Sequence, residues 1–90
     1  MAKILFTNGA EVIVSPKNGT DFSLAEMQAV VGGYIEVVFL DNGEIMVVNE
    51  EGKLNGLPYN VAATDYMKAN SRYDDFIVGN ALVCKRSEVK

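Results

Sequence analysis

The sequence predicts an α+β domain in which two hairpins and a terminal strand form a mostly antiparallel sheet, with two short helices, in the order ββαββαβ. Three observations predict this fold. Two Asn-Gly pairs each lie between β-prone runs, two segments combine a helix cap with apolar residues at helical spacing, and an apolar run lies near the end of the chain. A chain of 90 residues has the length of one domain, which we assign to residues 1–90.

The first hairpin is predicted over residues 3–14, in the run KILFTNGAEVIV. Asn8 and Gly9 are the residue types that a two-residue type I′ turn prefers, because both of its central positions need a positive φ. Pro16 and the pair Asn18-Gly19 then predict a loop, since these residues interrupt regular structure.

The first helix is predicted to begin at Ser23. Ser23 and Glu26 have the spacing of a capping box, and Phe22 and Met27 have the spacing of a hydrophobic staple. Gly32 can adopt the left-handed conformation that ends a helix. The helix is therefore predicted to be short, with one apolar side that must pack on the sheet.

The second hairpin is predicted over residues 34–51, around Asn42-Gly43. A two-residue turn at this pair would place Glu36 opposite Asn49. In that register both faces of the hairpin are apolar near the turn and polar at the other end. A sheet with one solvated face would alternate instead, so both faces are predicted to be covered.

This two-sided apolar character predicts the assembly state. We expect both helices to pack against one face of the sheet and a second copy of the chain to cover the other, giving a homo-oligomer. The alternative is that the second helix and the terminal strand cover both sides within a single chain. A ubiquitin-like roll is one possible arrangement of the elements.

The remaining elements follow a polar loop, NEEGKLNGLPYN, over residues 49–60. Asn60 is predicted to cap a second helix in VAATDYMKAN. The run FIVGNALVC, residues 76–84, is predicted to form the last strand, with Gly79-Asn80 as a bulge or a close approach of two backbones.

The composition excludes several classes of function. A net charge of −4 opposes binding to duplex nucleic acid, which needs clustered Lys and Arg. No apolar run reaches the ~18 residues of a membrane span, so we expect no membrane partner and a soluble, cytoplasmic protein. Cys84 is the only cysteine and is predicted to be a small buried hydrophobic residue.

The sequence contains no complete catalytic motif. It has no histidine, which removes the commonest general base and the commonest transition-metal ligand. The pairs Glu50-Glu51 and Asp74-Asp75 are adjacent in the chain, and neighbours on a strand point to opposite faces, so they do not converge unaided. The run EEGK lacks the first glycine and the Ser or Thr of a phosphate-binding loop.

Most of the candidate ligand-binding residues lie at the polar end of the second hairpin and in the loop after it. They are Tyr34, Glu36, Asn49, Glu50, Lys53, Asn60 and Arg72. Tyr34 offers a ring for stacking, Glu36 and Asn49 offer hydrogen-bonding groups, and Lys53 with Arg72 offers cations for phosphates. The alternative is that the loop is only a connection, in which Asn49 and Asn60 cap turns.

Three stretches, LAEMQAVVGGYIEVV, NEEGKLNGLPYNVAAT and IVGNALV, resemble the domain-of-unknown-function family 3846, small proteins encoded by phages, plasmids and bacteria. The resemblance extends from about Ser23 to Cys84. It implies no catalytic residue. It does imply that the gene belongs to a mobile element, and small proteins of mobile elements often inactivate host defences.

We therefore expect a non-enzymatic protein, without cofactor or metal, that sequesters a small nucleotide-derived defence signal as a homo-oligomer in the host cytoplasm. The alternative is an interaction module or inhibitor of a host protein, with no small-molecule ligand. A third hypothesis is an enzyme that acts on a phosphoester through carboxylates and a metal ion.

Overall fold

The fold is that of a computed structural model, which describes residues 2–89. Within these residues the elements follow the predicted order. They are β1 (Ala2–Leu5), β2 (Glu11–Val14), α1 (Leu24–Val31), β3 (Ile35–Phe39), β4 (Glu44–Asn49), α2 (Val61–Ala69), β5 (Ala81–Lys85) and a short 3-10 helix (Arg86–Glu88). The α+β class and the order ββαββαβ are confirmed.

The five strands form one antiparallel sheet in the order β2-β1-β5-β4-β3. The last strand in the sequence, β5, therefore lies at the centre, between the two hairpins. Its residues Ala81, Leu82, Val83 and Cys84 are fully buried, as expected for a central strand covered on both faces. The sheet edges are β2 and β3.

The two helices lie on opposite faces of the sheet, so the prediction that both pack against one face is wrong. Met27 of α1 belongs to a cluster that includes Val47 and Leu82. Met67 of α2 belongs to a second cluster that includes Met46. Because side chains alternate along a strand, neighbouring residues of β4 contribute side chains to the two clusters in turn. A ubiquitin-like roll has its helix on one face only, so it is not the arrangement found.

The start of α1 is held by the predicted capping box. The Ser23 hydroxyl accepts the Glu26 N–H at 3.2 Å, and a Glu26 carboxylate oxygen accepts the Ser23 N–H at 3.0 Å. The bond from the Ser23 N–H, followed by one from the Lys17 N–H, lowers the pKa of the Glu26 carboxyl. At the other end Gly32 has a left-handed φ of 80°, which confirms the predicted stop.

Both hairpins have three-residue loops, so the predicted two-residue type I′ turns are wrong. Gly9 and Gly43 have positive φ, whereas among residues 2–89 no other residue type does. Asn8 and Asn42 instead accept the N–H two residues further along, at 2.9 and 3.0 Å. Such loops end with a glycine in the left-handed region.

The longer loop shifts the second hairpin by one residue from its predicted register. Glu36 lies opposite Val48, and Ile35 lies opposite Asn49. Since a shift of one residue turns a side chain to the other face, Glu36 and Asn49 point to opposite sides of the sheet. The predicted pairing of these two residues is therefore wrong.

Strand β4 is covered on both faces by its own chain. Ile45, Met46, Val47 and Val48 are each exposed by 5% or less. The need for a partner chain over the hairpin therefore disappears, and the single-chain alternative describes the coverage better. The second cover is α1, however, and not the terminal strand.

The last strand begins later than predicted, at Ala81 instead of residue 76. Gly79 has a φ of 75°, which a regular strand does not accommodate. Residues 76–80 contain only an isolated bridge from Val78 to Tyr59. Phe76, which the predicted strand would have included, therefore lies in a loop, and its side chain is exposed. No helix in the described part of the chain is long and apolar enough to cross a membrane.

Candidate functional site

A groove of about 320 Å³ lies on the α2 side of the sheet, where α2 leaves the polar end of the second hairpin open. We call it the β3 groove. One wall is Glu36–Val38 of the edge strand, and the opposite wall is the segment 73–78, which precedes β5. Lys53 of the polar loop closes one side. The groove therefore lies where the sequence places most of its candidate residues.

The floor of the groove is apolar. Val48, Met67 and Ile77 line it, and each is exposed by 6% or less. Val38 packs against the same buried cluster and is partly exposed. A ligand in the groove would rest on this hydrophobic base, with the exposed charged residues around it, which is the usual composition of a small-molecule site.

Two aromatic residues form part of the wall and were not predicted as site residues. Phe76 is 43% exposed and Tyr73 is 49% exposed. The Phe76 ring packs against Tyr59, with ring centroids 5.8 Å apart and planes inclined by 33°. Lys53 Nζ lies 4.3 Å from the centroid of the Phe76 ring. Flat exposed rings beside an apolar floor suit a planar ligand group.

The charged groups of the groove are mainly acidic. Three acids, Glu36, Glu50 and Asp75, line it together with one cation, Lys53. Lys53 Nζ already binds Asp75 Oδ1 at 2.6 Å. This contact, followed by a bond from the Phe76 N–H, lowers the pKa of the Asp75 carboxyl. The groove therefore attracts hydrogen-bond donors more strongly than anions.

The chain from Asn70 to Ile77, which includes most of the wall opposite β3, is anchored at its ends although it contains no helix or strand. The Ile77 N–H donates to Thr64 Oγ1 at 2.9 Å, and the Ile77 carbonyl accepts the Asn60 N–H at 2.8 Å. At the other end the Asn70 carbonyl accepts the Asp41 N–H at 2.7 Å. The wall of the groove is thus fixed to α2 and to the hairpin.

The polar loop 49–60 has a defined structure of its own. The Leu57 N–H donates to the Gly52 carbonyl at 3.0 Å, and the Asn55 N–H donates to the Glu51 carbonyl at 2.9 Å. Gly52 is buried, and a Cβ there would lie 2.8 Å from Val78. The loop is therefore a packed structural unit that also supplies Lys53 to the groove.

The structure brings four of the seven predicted site residues together. Glu36, Asn49, Glu50 and Lys53 all line the β3 groove. The side-chain amide of Asn49 donates to the Val31 carbonyl at 3.1 Å, at the end of α1. Its amide group is therefore engaged on the other side of the sheet.

The other three predicted residues lie elsewhere. Tyr34 is 66% exposed and does not line the groove. Asn60 is fully buried and caps α2, as predicted for a structural role. Its amide nitrogen donates to the carbonyls of Leu5 and Gly79, at 2.9 and 2.8 Å. Arg72 lines a second cavity.

This second cavity, of about 410 Å³, lies at the turn end of the same hairpin. Phe39–Asp41 line it from the hairpin, and Ser71–Tyr73 line it from the segment before β5. Arg86 completes it, with its guanidinium carbon 5.0 Å from the centroid of the Phe39 ring. We call it the arginine cavity.

The remaining reactive group, the Cys84 thiol, lies in the core and outside both cavities. Burial, followed by the charges of Glu88 and Glu44, raises the pKa of the thiol to about 12. Cys84 is thus the small buried residue that the sequence predicts, and its protonated thiol is a poor nucleophile.

The sequence contains a signal for Tyr73 and Phe76, the two aromatic wall residues that were not predicted. SRYDDF places two aromatic residues beside three charged ones, directly after a helix. Exposed aromatic residues in a loop are unusual enough to suggest a binding surface. The assignment of Phe76 to the last strand hid this pattern.

Comparison with known proteins identifies one family. The family model with the description "Domain of unknown function (DUF3846)" matches residues 4–89. No curated protein matches the chain, and no solved structure does.

Proposed function

Since this chain belongs to the DUF3846 family, whose description names no activity, we propose from its own geometry that it is a non-enzymatic binding protein for a small nucleotide-derived ligand. The observation that carries this function is the β3 groove, in which the exposed rings of Tyr73 and Phe76 stand beside an apolar floor. Its volume of about 320 Å³ lies at the lower end of the ~300–1,000 Å³ range of ligand pockets.

The groove suits the base and sugar of a nucleotide better than its phosphates. A base can pack against Phe76 or Tyr73, because every base has a flat π face. Glu36 and Glu50 can accept hydrogen bonds from ribose hydroxyls or from an amino group of the base. Phosphates would meet the same carboxylates unfavourably, so they must extend out of the groove.

Binding without turnover is supported by the groups available. The chain has no histidine, and the Cys84 thiol is buried. The carboxylates of the groove remain exposed, and one of them, Asp75, is paired with Lys53. A protein that only holds its ligand needs none of these groups as a nucleophile or general base.

We place this binding in a phage or mobile-element setting, where holding a host defence signal in the cytoplasm would protect the element. This setting rests on the family resemblance, which implies that the gene belongs to a mobile element. A protein that sequesters a signal must bind that signal more tightly than the host receptor does, so its affinity for the ligand is the quantity to measure.

Isothermal titration calorimetry with AMP, ADP-ribose and cyclic dinucleotides tests this function. The wild type should bind at least one of them, and Phe76→Ala should weaken that binding at least about fivefold, since a stacked base contributes about 1–3 kcal/mol. Tyr34→Ala is the matched control, because Tyr34 is also exposed but lies outside the groove. No heat with any probe would reject the function, and equal losses in both variants would reject the groove as the site.

The second candidate function is an interaction module, and a different surface favours it. Val12 and Ile13 on the edge strand β2 are 46% and 55% exposed. An edge strand with exposed apolar side chains can pair with another chain, either a host protein or a second copy. We place the expected homo-oligomer at this edge, since the hairpin faces are covered.

Light scattering after size-exclusion chromatography tests that edge. If β2 joins two copies, Ile13→Lys should lower the measured mass to that of one chain. Leu24→Lys is the matched control, because Leu24 is also 55% exposed but lies on α1. A wild-type mass of one chain would reject self-association, and recovery of a host protein by wild type but not by Ile13→Lys would favour the interaction module.

A further inference from the structure

The two cavities follow each other along the edge strand. Glu36–Val38 line the β3 groove and Phe39–Asp41 line the arginine cavity. The opposite wall is equally continuous, since Ser71–Tyr73 line the arginine cavity and Tyr73 also lines the groove. Both cavities contact Tyr73, but Phe39 lies on the α1 side of the sheet because it pairs with Ile45, whereas Glu36 and Val38 lie on the α2 side. One extended ligand would therefore contact both cavities by passing Tyr73 and bending around the edge strand.

The two cavities differ in charge. The arginine cavity contains Arg72 and Arg86 with one acid, Asp41. Within the part of the chain that the structure describes, neither guanidinium forms an ion pair. Lys53 of the groove, by contrast, is paired with Asp75. The unpaired cations near the ligand site are thus in the arginine cavity, although the whole chain is acidic.

Arg86 is held in a conformation that suits anion binding. Its guanidinium lies over the Phe39 ring, which is itself 54% exposed. A cation–π contact of this kind restricts the side chain, and among the described residues no ion pair engages its N–H groups. Arg72 and Arg86 together offer this cavity several charged N–H donors, and a phosphate accepts such bonds in pairs.

We propose that the arginine cavity is an anion subsite in which Arg72 and Arg86 bind the phosphate end of the ligand whose base lies in the β3 groove. The assignment of the two ends rests on the proposed function. The anion subsite itself rests on the presence of Arg72 and Arg86 in one cavity. Lys53, which the sequence offered as the phosphate partner, instead stays with Asp75 at the base end of the ligand.

Titration with inorganic pyrophosphate tests the subsite without assuming a nucleotide. In ¹H–¹⁵N spectra that include arginine Nε–H signals, the signals of Arg72 and Arg86 should shift and saturate. The double variant Arg72→Gln/Arg86→Gln should weaken this binding at least about fivefold, given the strength of charge-assisted contacts. The single variant Arg86→Gln should weaken it too, and Lys85→Gln is the matched control for that variant, since it removes the same single charge beside Arg86 from an exposed residue that does not line the cavity.

Two results would overturn the subsite. One is the absence of any saturating shift at the two arginines, and the other is an equal loss of affinity in Lys85→Gln, which would show a diffuse charge effect. The spectra also report whether each variant is folded, so a loss caused by unfolding is recognised directly.

A comparison of AMP with adenosine then separates the subsite from the proposed function. If both hold, AMP should bind more tightly than adenosine, and the double arginine variant should remove this difference while leaving adenosine binding unchanged. Pyrophosphate shifts without binding of any nucleotide would support the anion subsite and reject the nucleotide ligand. Equal affinities for AMP and adenosine would reject the placement of the phosphate at the arginines.

Discussion

Lys53 Nζ lies 2.6 Å from Asp75 Oδ1, and this contact joins the polar loop after β4 to the segment that forms the far wall of the groove. The two residues are 22 positions apart in the sequence. Both are exposed, and the ammonium also lies over the Phe76 ring. The ion pair therefore organises the mouth of the groove more than it stabilises the fold, since exposed pairs contribute about 0–1 kcal/mol.

The pKa of Asp75 should report this pair. Its carboxyl has a lowered pKa because Lys53 and the Phe76 N–H both bind the charged form. Lys53→Gln should raise that pKa only part of the way to its ordinary value, because the backbone bond remains. A pH titration of the carboxyl ¹³C signal measures the change.

The sign of the linked stability follows from the lowered pKa. The contribution of the pair is present above the unfolded pKa of the carboxyl and is lost as pH falls through the lower folded pKa.

For the measurement of the Asp75 pKa, Lys68→Gln is the control, since Lys68 is exposed on α2 and forms no bond with Asp75. An unchanged Asp75 pKa in Lys53→Gln would show that the pair does not persist in solution.

Local signals in the sequence were sufficient for the helices. Ser23 and Glu26 cap α1, and Asn60 caps α2, as their spacing predicts. Each cap depends on residues within one helical turn, so distant parts of the chain do not change it. The same holds for Gly32, whose conformation ends α1.

The register of the second hairpin needed information that an Asn-Gly pair does not contain. Asn42-Gly43 fits a two-residue turn, but it also fits a three-residue loop with Asp41, in which only the glycine has positive φ. The Asn42 side chain favours the second form by accepting the Glu44 N–H. The difference is one residue, and it moves Asn49 to the α1 side.

The side of the sheet that each helix covers could not be predicted for a related reason. Because β4 is an interior strand, both of its faces are apolar, so its pattern does not say which helix packs where. The groove wall was missed because Gly79 ends the extended run early and leaves Phe76 in a loop. Glu36, Glu50 and Lys53 were found because they flank the hairpin's polar end in any register.

Asn60 should be one of the most sensitive positions for stability. Its side chain caps α2 through the Ala63 N–H at 2.9 Å and also donates to two backbone carbonyls in the core. Asn60→Ala should lower the free energy of unfolding by at least about 3 kcal/mol, since a cap contributes about 1 kcal/mol and each of the two buried partners left unpaired costs about 1–3 kcal/mol. Urea unfolding followed by circular dichroism measures the change.

Two further variants separate the cap from the buried bonds. Ser23→Ala removes the cap of α1, which is only partly buried, and should cost about 1 kcal/mol. Asn60→Asp keeps an acceptor for the Ala63 N–H but places oxygen beside the carbonyls of Leu5 and Gly79. If Asn60→Asp were as stable as the wild type, the two buried bonds would have no role.

Gly79 is required for two independent reasons. Its φ is 75°, and a Cβ at this position would lie 2.8 Å from Leu57 Cδ1. Gly79→Ala should destabilise the protein by about 2–4 kcal/mol, of which the left-handed backbone alone accounts for about 1–2 kcal/mol. Thermal unfolding by differential scanning calorimetry measures the loss.

Gly19→Ala isolates the backbone contribution. Gly19 has a φ of 82°, but nothing lies within 4 Å of the Cβ it would gain. The excess loss in Gly79→Ala is then assigned to Leu57. Equal losses at the two positions would mean that Leu57 moves aside without cost, and the loop would be less tightly packed than its contacts indicate.

Cys84 should be unreactive in the folded protein. It is fully buried on the central strand, and burial is the main cause that raises the pKa of its thiol to about 12. A disulfide reagent such as dithionitrobenzoate at about pH 8, close to the ordinary thiol pKa, should react with less than a tenth of the thiol before the chain opens. The same reagent in urea should react completely, and the slow native rate then measures how often β5 is exposed.

The raised pKa also predicts how stability depends on pH. The folded state keeps the thiol protonated above the pKa at which the unfolded chain ionises, so the free energy of unfolding should fall as pH rises beyond about 8.5. Below that pH the contribution is fully present. Cys84→Ala should be less stable overall because it leaves a cavity, but it should lose this part of the pH slope. Rapid labelling of the native wild type, or an unchanged slope in Cys84→Ala, would show that the thiol is not held in a dry core.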